Sequence, residues 1–303
     1  MLKRAVQRVC ARYQPVPSVP AAGANKQILR PLNKVILTDE LSRTLFTEFA
    51  DHRSSSRASE ETGWALLGLR GEESALVLAS LPAGEQRDAS YSHVQFNPVA
   101  QAMASTIVRQ DNKLLTLLGI VHTHPASLRH PSQDDYRGDI TWVRGLKGQE
   151  GVFAIGTSDA EIRFPAPVAW SDQPHTQCLG HLRFTWYALS GTDRNYRTLP
   201  VQLTIGPDLA LPVRKIWYEL EKHAEEMERL SQILSHVRFD IIQGAAQPAL
   251  VLNLKLSTNS AVRVVMEGDI ITYVVLNGEE ARIAKVHEER LDRGLLFLLA
   301  ELL

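Results

Sequence analysis

Short apolar runs bounded by turn residues recur along the first two thirds of the chain and predict the strands of a sheet. The clearest run, residues 114–121, is broken only by Thr116 and Gly119 and is typical of a buried strand. Two further runs, 64–69 and 75–80, flank the turn residues 71–74 and predict a hairpin. The remaining predicted strands of this part cover 34–37, 151–156, 162–164 and 182–189.

Helices are predicted where apolar residues recur at intervals of three and four. Such stretches begin at residues 38–40, where Thr38 or Asp39 is the predicted cap, at Pro98 and at Tyr136. A mixed sheet wrapped by these helices is the natural assembly, which gives an α/β (α+β) fold class.

A long amphipathic helix is predicted over 212–235, and its apolar residues form a single stripe between charged faces. Four strands follow at 237–242, 250–256, 261–266 and 270–276, and a helix over 288–303 closes the chain. This pattern predicts a smaller C-terminal α+β module that serves binding or dimerisation. The stripe of the long helix fits packing within one chain, and a homodimer stays an open alternative.

The first thirty residues are the one charge anomaly, because all six of their charged residues are basic. Leu2, Val6, Val9 and Tyr13 follow a helical period, and three prolines come after them. A short helix and a flexible arm explain this pattern, and a targeting peptide or an anchor to an anionic surface is the alternative. We therefore divide the chain into an arm and linker (1–30), a main domain (31–205), the long helix (206–236) and the C-terminal module (237–303).

Composition narrows the functional classes. The 303 residues are 44% hydrophobic and 22% charged, as in ordinary globular proteins. A net charge of -1 without a basic stripe gives no indication of nucleic-acid binding. Two cysteines, Cys10 and Cys178, form no disulfide framework and predict a reducing, cytoplasmic setting. No apolar run is long enough to span a membrane.

The strand over 114–121 leads directly into His122 and His124. Side chains two positions apart on a strand share one face, so both imidazoles can reach one point. Pro125 ends the strand, and a polar segment with Ser132 and Asp135 follows. Two imidazoles and a carboxylate form the ligand set with which a catalytic zinc keeps a fourth position open.

This spacing resembles the JAMM motif of the JAB/MPN family of zinc metallopeptidases, which reads His-x-His, seven residues, Ser, two residues, Asp. The family's upstream Glu, followed after six residues by Gly, is matched by Glu61 and Gly68. The resemblance covers roughly residues 32–200 and implies an MPN/JAB-like mixed sheet flanked by helices. The Glu-Thr-Gly sequence that begins at Glu61 and the short gap between Asp135 and Gly151 are similar to those of the prokaryotic branch of the family.

The resemblance implies hydrolysis by one catalytic Zn²⁺. His122, His124 and Asp135 are the implied ligands of the ion. Glu61 is implied to hold the attacking water, to take its proton as general base and to pass that proton to the departing amine. The hydroxyl of Ser132 is implied to stabilise the oxyanion.

Neighbouring acidic residues are alternatives to two of these assignments. Asp134 is the alternative third ligand, or the cap of the helix that follows, and Glu60 is the alternative to Glu61. The spacing of the motif favours Asp135 and Glu61.

Other polar residues are expected to lie outside the catalytic set. Asp39, Glu60 and Asp139 are interpreted as solvated, or as outer neighbours of the ligands. A further set of potential ligands at three-residue intervals comprises His175, Cys178 and His181. A second, structural zinc would need a fourth ligand, and none is evident nearby, so we interpret this set as a surface loop.

The resemblance also predicts the substrate. JAMM enzymes that act on proteins cleave after the C-terminal tail of ubiquitin or a ubiquitin-like protein, and several bacterial members work beside activating and conjugating enzymes, some of them in antiphage defence. We therefore expect an isopeptidase or peptidase that deconjugates or matures a ubiquitin-like modifier. The alternatives are a catalytically silent MPN scaffold and a hydrolase of a sulfur carrier or small amide. The polar segment 82–97 lies where JAMM deubiquitinases grip the substrate, and it is predicted to be either a groove wall or an ordinary connection.

Overall fold

The computed structural model describes residues 29–125, 127–162, 169–171 and 173–302. The predicted N-terminal helix and linker, and most of the predicted strand 162–164, lie outside these residues. The described chain separates into two compact units. One comprises the described residues up to Pro98 and those of Asn112–Ala210, and the other comprises Val99–Asp111 and the described residues from Leu211 onwards. The domain limits predicted above stay predictions.

The first unit is built on a nine-stranded mixed sheet with the strand order β10-β9-β7-β6-β2-β3-β1-β11 and with β8 beside β9. The strands of this unit are β1 (Lys34–Thr38), β2 (Gly63–Arg70), β3 (Ser74–Pro82), β4 (Asp88–Ser90), β5 (His93–Gln95), β6 (Thr116–Thr123), β7 (Glu150–Thr157), β8 (Thr176–Leu179), β9 (Leu182–Ser190), β10 (Arg197–Thr198) and β11 (Val201–Thr204). Of these, β4 and β5 form a separate two-stranded hairpin. The predicted fold class and mixed sheet are confirmed.

The core of this unit lies between the sheet and helix α1 (Asp39–Ser54). The helix is amphipathic and buries Leu41, Leu45, Phe46 and Phe49, which recur on one face. The rings of Phe46 and Phe49 lie 5.0 and 5.5 Å from the ring of Phe184 on β9. Because these aromatic side chains are almost fully removed from water, α1 is fixed against the sheet by apolar packing.

The start of α1 differs in one detail from its prediction. Thr38 is the cap residue, but its side chain makes no capping bond to the helix. Its hydroxyl instead donates to the carbonyl of Pro207 (2.8 Å), and the Asp39 carboxylate accepts the N–H of Gly206 (2.9 Å). Both residues therefore tie the start of the helix to the segment after β11, and Asp39 has a structural role.

Strand β6 passes through the middle of the sheet, antiparallel to β2 and parallel to β7. Every residue of β7 and nearly every residue of β2 is buried, which explains their continuous apolar sequences. Gly119 of β6 lies opposite Val152 of β7. A Cβ atom added at Gly119 would lie 1.6 Å from the carbonyl oxygen of Val152, so only glycine allows the two backbones to approach this closely.

Gly119→Ala is therefore expected to lower the free energy of unfolding by about 3 kcal/mol or more, at the upper end of overpacking effects. Gly145→Ala is the matched control, because a Cβ atom added at Gly145 meets nothing within 4 Å. We expect that control to stay within about 0.5 kcal/mol of wild type. Urea titrations followed by tryptophan fluorescence compare the two, and equal stability of both variants would contradict the close approach of β6 and β7.

The second unit contains a five-stranded antiparallel sheet in which the strands follow chain order. Its elements are α2 (Pro98–Arg109), α4 (Leu211–Arg214), α5 (Trp217–Ile233), β12 (Val237–Gln243), β13 (Pro248–Lys255), β14 (Ser260–Glu267), β15 (Ile270–Asn277), β16 (Glu280–Ala284) and α6 (Leu291–Leu302). The side-chain amide of Gln110, just after α2, bonds both the N–H and the carbonyl of Phe239 on β12 (2.8 Å each). The amide therefore satisfies the backbone hydrogen-bonding groups of Phe239 on β12, which is an edge strand of this sheet.

The predictions for this unit need three corrections. The long helix over 212–235 is two helices, α4 and α5, and the turn between them leaves Ile216 outside helical geometry. A fifth strand, β16, was not predicted, because its sequence Glu-Ala-Arg-Ile-Ala contains no continuous apolar run and lies exposed at the sheet edge. The closing helix begins at Leu291 rather than at residue 288. Among the described helices, none combines the length and apolar character needed to cross a bilayer.

Candidate metal centre

Backbone hydrogen bonds to both neighbouring strands hold the two histidines. His122 is in β6 and lies opposite Gly63 of β2 and Ile155 of β7. The strand extends two residues past its predicted end at Val121, so His122 lies in it and His124 lies one residue beyond it. The N–H of His124 still donates to the carbonyl of Gly156 (2.8 Å), which continues the pairing with β7. Both imidazoles are largely buried, with residue exposures of 9% and 7%.

Asp135 is oriented by the first turn of helix α3 (Gln133–Trp142). Ser132 is the cap of this helix, and its hydroxyl oxygen accepts the N–H of Asp135 (3.1 Å). In return, Oδ2 of Asp135 accepts the N–H of Ser132 (2.6 Å), which completes a capping box. The alternatives for Asp134 are wrong, because Ser132 caps the helix and the Asp134 side chain is 85% exposed beside Arg137.

The geometry brings the predicted ligands together. Nε2 of His122 and Nε2 of His124 are 3.1 Å apart. The Asp135 carboxylate oxygens lie 3.4 Å from Nε2 of His122 and 3.5 Å from Nε2 of His124. Ligand atoms around a tetrahedral zinc, at bonds of about 2.0–2.2 Å, are separated by roughly 3.3–3.6 Å. The 3.4 Å contact is made by Oδ1 of Asp135 and the 3.5 Å contact by Oδ2. One ligand atom from each of the three side chains lies within 4.8 Å of the others, so the three side chains converge closely enough to share one ion.

The orientation of His124 also suits a metal ligand. Its Nδ1 lies 2.8 Å from the carbonyl of Leu128, which fixes Nδ1 as the protonated nitrogen when the ring is neutral. The lone pair is then on Nε2, the atom that faces His122 and Asp135. A backbone carbonyl on the outer nitrogen is a common partner of metal-binding histidines.

The charges of these residues are strongly coupled. Burial alone would lower the pKa of His122, but the adjacent Asp135 carboxylate outweighs burial and raises this pKa to about 9. Burial would raise the pKa of Asp135, but the two imidazoles hold it far below its usual range. A proton thus occupies the cluster when no metal does. A divalent ion must displace that proton, so the affinity for metal rises with pH up to about the pKa of His122.

Glu61 lies just before β2, with only 4% of its surface exposed. Its N–H donates to the carbonyl of Ser90 on the β4–β5 hairpin (2.7 Å). Burial raises the pKa of the Glu61 carboxyl, and the charges of His122 and His124 oppose that rise. The Glu61 carboxyl therefore interacts electrostatically with His122, His124 and Asp135. Glu60, the alternative, is instead held by Arg57, whose Nε donates to Oε2 of Glu60 (2.6 Å).

Part of the chain is similar to known proteins. Residues 42–170 match the family model described as prokaryotic homologs of the JAB domain. The match covers 129 of the 303 residues. The solution structure of protein DSY2949 from Desulfitobacterium hafniense is similar at 17% identity and a TM-score of 0.37, covering 57% of this chain and 94% of that one. No curated protein matches the chain.

The second potential ligand set is not among the groups whose ligand atoms converge within the described residues. Cys178 is buried on β8, and its backbone pairs with Trp170, whereas His181 is exposed beyond the end of that strand. Within the described residues, the group whose ligand atoms converge is His122, His124 and Asp135, all within 4.8 Å of one another. The interpretation of His175, Cys178 and His181 as a surface loop is wrong for Cys178, which is buried on β8.

Two features beside the site have little or no sequence signal. The segment 82–97 contains the β4–β5 hairpin, and its residue His93 acts electrostatically on Glu61. A single histidine in a polar turn-rich segment gives no indication of such a position. Asp139 is the second feature, because Tyr196 and Trp142 hold it one helical turn after Asp135. The interval of four residues on a helix is a signal for a shared face, but it does not reveal the partner Tyr196.

Proposed function

We propose that this chain is a JAMM-type zinc isopeptidase or peptidase that cleaves after the C-terminal tail of a ubiquitin-like protein. Deconjugation and precursor maturation are both within this proposal. The observation that carries it is the convergence of the ligand atoms of His122, His124 and Asp135 within 4.8 Å of one another, together with the buried Glu61, on which the charges of both histidines act. A domain of the JAB family, which includes metal-dependent hydrolases and scaffolds, surrounds this cluster.

The residues fit one zinc ion. Two imidazole nitrogens and one carboxylate oxygen are the donor set of open, catalytic zinc sites, and the fourth position stays available. His122, His124 and Asp135 would hold the ion. A bound zinc supplies a Lewis acid that polarises the scissile carbonyl and activates water near neutral pH.

The chain's own residues then move the proton and stabilise charge. The Glu61 carboxylate takes a proton from the attacking water and delivers it to the nitrogen of the breaking C–N bond, so that the amine leaves neutral. Its raised pKa brings the carboxyl closer to the operating pH, which suits both steps. The Ser132 hydroxyl oxygen accepts the N–H of Asp135, so its own proton is available to the developing oxyanion.

An extended tail suits the surroundings of Glu61. The β4–β5 hairpin contacts Glu61 through its backbone, and a substrate strand beside a hairpin gains main-chain hydrogen bonds. The tail carbonyl would lie between Glu61 and the metal ligands. The second unit is proposed to recognise the modifier or an activating or conjugating enzyme of the same pathway.

Fluorogenic amides test this function. The zinc-loaded protein is incubated with the C-terminal coumarin amides of ubiquitin and of bacterial ubiquitin-like proteins, and with a coumarin amide of acetylglycine. We expect cleavage of a ubiquitin-like amide that stops with a chelator and returns with zinc. Zinc binding without turnover of any probe would support the silent scaffold. Turnover of the acetylglycine amide alone would support a small-amide hydrolase.

A further inference from the structure

We infer that Asp139 is a partly buried anion that raises the affinity of the site for its metal without binding the metal itself. This inference rests on the proposed zinc site. Asp139 touches no proposed ligand through a hydrogen bond in the structure, so its role would be electrostatic.

The helix that presents Asp135 also presents Asp139. The two residues are four positions apart on α3, so their side chains lie on one face, about 6 Å apart along the helix axis. Asp135 belongs to the ligand cluster, and Asp139 therefore lies one turn behind it. The charges of His122 and Asp135 both act on the Asp139 carboxyl.

The Asp139 carboxylate accepts hydrogen bonds from two uncharged aromatic side chains, Tyr196 and Trp142. Its Oδ2 accepts the hydroxyl of Tyr196 (2.7 Å), and its Oδ1 accepts the indole N–H of Trp142 (3.1 Å). The ring of Tyr196 lies 5.5 Å from that of Phe153 and 6.2 Å from that of Tyr136. Neither donor carries a charge that would neutralise the carboxylate.

A partly buried carboxylate whose hydrogen-bond donors carry no charge is costly to ionise. Burial accordingly raises the pKa of Asp139 to about 7, although Tyr196, His122 and Trp142 each act against the rise. A divalent ion at the neighbouring cluster would supply the missing positive charge, since bound metal ions are the largest local charges in such sites. By reciprocity, the ionised carboxylate would favour binding of the ion.

If the role of Asp139 were purely structural, asparagine could replace it without loss of metal affinity. The Asn oxygen can accept the Trp142 N–H, and its amide N–H can donate to the Tyr196 oxygen once that hydroxyl turns around. Asp139→Asn therefore removes the charge while keeping the shape and both hydrogen bonds. Only the electrostatic role requires this variant to lose metal affinity.

Zinc affinity of the full chain, measured by competition with a chromophoric chelator, tests the inference. We expect Asp139→Asn to bind zinc about tenfold more weakly than wild type, at the lower end of the effects of residues behind metal ligands. Asp134→Asn is the charge control, because Asp134 is on the same helix but exposed. Tyr136→Phe is the packing control, because Tyr136 contacts Tyr196 and donates to the carbonyl of Asp193 (3.0 Å). Both controls are expected to stay within about twofold of wild type.

The outcomes separate this inference from the proposed function. If wild type binds no zinc, the proposed function fails. If wild type binds zinc and Asp139→Asn binds it equally well, the inference is overturned while the function stands. An equal loss in Tyr136→Phe would also overturn it, because packing would then explain the effect. Asp139→Ala, which removes the charge without introducing an amide, gives the same comparison if the asparagine variant does not fold.

Discussion

Glu61→Gln is expected to abolish turnover of a ubiquitin-like C-terminal amide while leaving the fold and the zinc content unchanged. Glutamine preserves the shape of the buried side chain and the backbone bond from residue 61 to Ser90 (2.7 Å). It cannot accept and return a proton, so the general base and acid are both lost. General acid–base catalysis typically contributes 10²–10⁴-fold, and we expect a loss of kcat of at least about a hundredfold.

The neighbouring residue provides the matched control for this variant. Glu60→Gln changes a carboxyl one position away that is bonded to Arg57 (2.6 Å). It is expected to keep kcat within about threefold of wild type, since surface substitutions away from special features have small effects. Metal analysis and steady-state kinetics of both variants decide between the two residues. Substantial turnover by Glu61→Gln, with zinc bound, would rule out Glu61 as the proton carrier.

His124→Ala is expected to lose both zinc and activity. The substitution leaves two of the three protein ligands, so the loss of affinity should exceed the roughly 10–100-fold that changes behind the ligands produce. His124 lies beyond the end of β6, and its backbone N–H still reaches the carbonyl of Gly156 in the variant, so the sheet is expected to survive. Zinc per chain after dialysis and the circular dichroism spectrum measure these two effects.

A second histidine in the same loop controls for the loss of an imidazole. His130 is exposed between His124 and Ser132 and has no part in the ligand cluster. His130→Ala is expected to retain one zinc per chain and the wild-type rate. Stoichiometric zinc in His124→Ala would contradict its role as a ligand.

The sequence was most informative where chemistry and local periodicity coincide. His122, His124 and Asp135 could be predicted as one cluster because a buried strand and a short connection constrain where they lie. Strands β2, β6 and β7 could be predicted because they are buried on both faces and are therefore continuously apolar. The exposed strand β16 has no such pattern, since only its pairing with β15 makes it a strand.

Contacts between distant residues could not be predicted in this way. Tyr196 reaches Asp139 across 57 positions, and Glu61 bonds to Ser90, which lies on a hairpin with only three residues per strand. Asp135 could be placed by motif spacing, but its orientation depends on the reciprocal bonds with Ser132. These contacts depend on tertiary packing, which neither propensity nor spacing specifies.

Zinc K-edge X-ray absorption of the wild-type protein reports which atoms surround the metal, and it therefore tests whether zinc binds at His122, His124 and Asp135. We expect one zinc per chain, with nitrogen and oxygen neighbours at roughly 2.0–2.2 Å and the outer scattering of two imidazole rings. Protein that retains no zinc after loading, or a zinc–sulfur distance of about 2.3 Å that assigns the ion to a cysteine, would contradict a centre built from His122, His124 and Asp135.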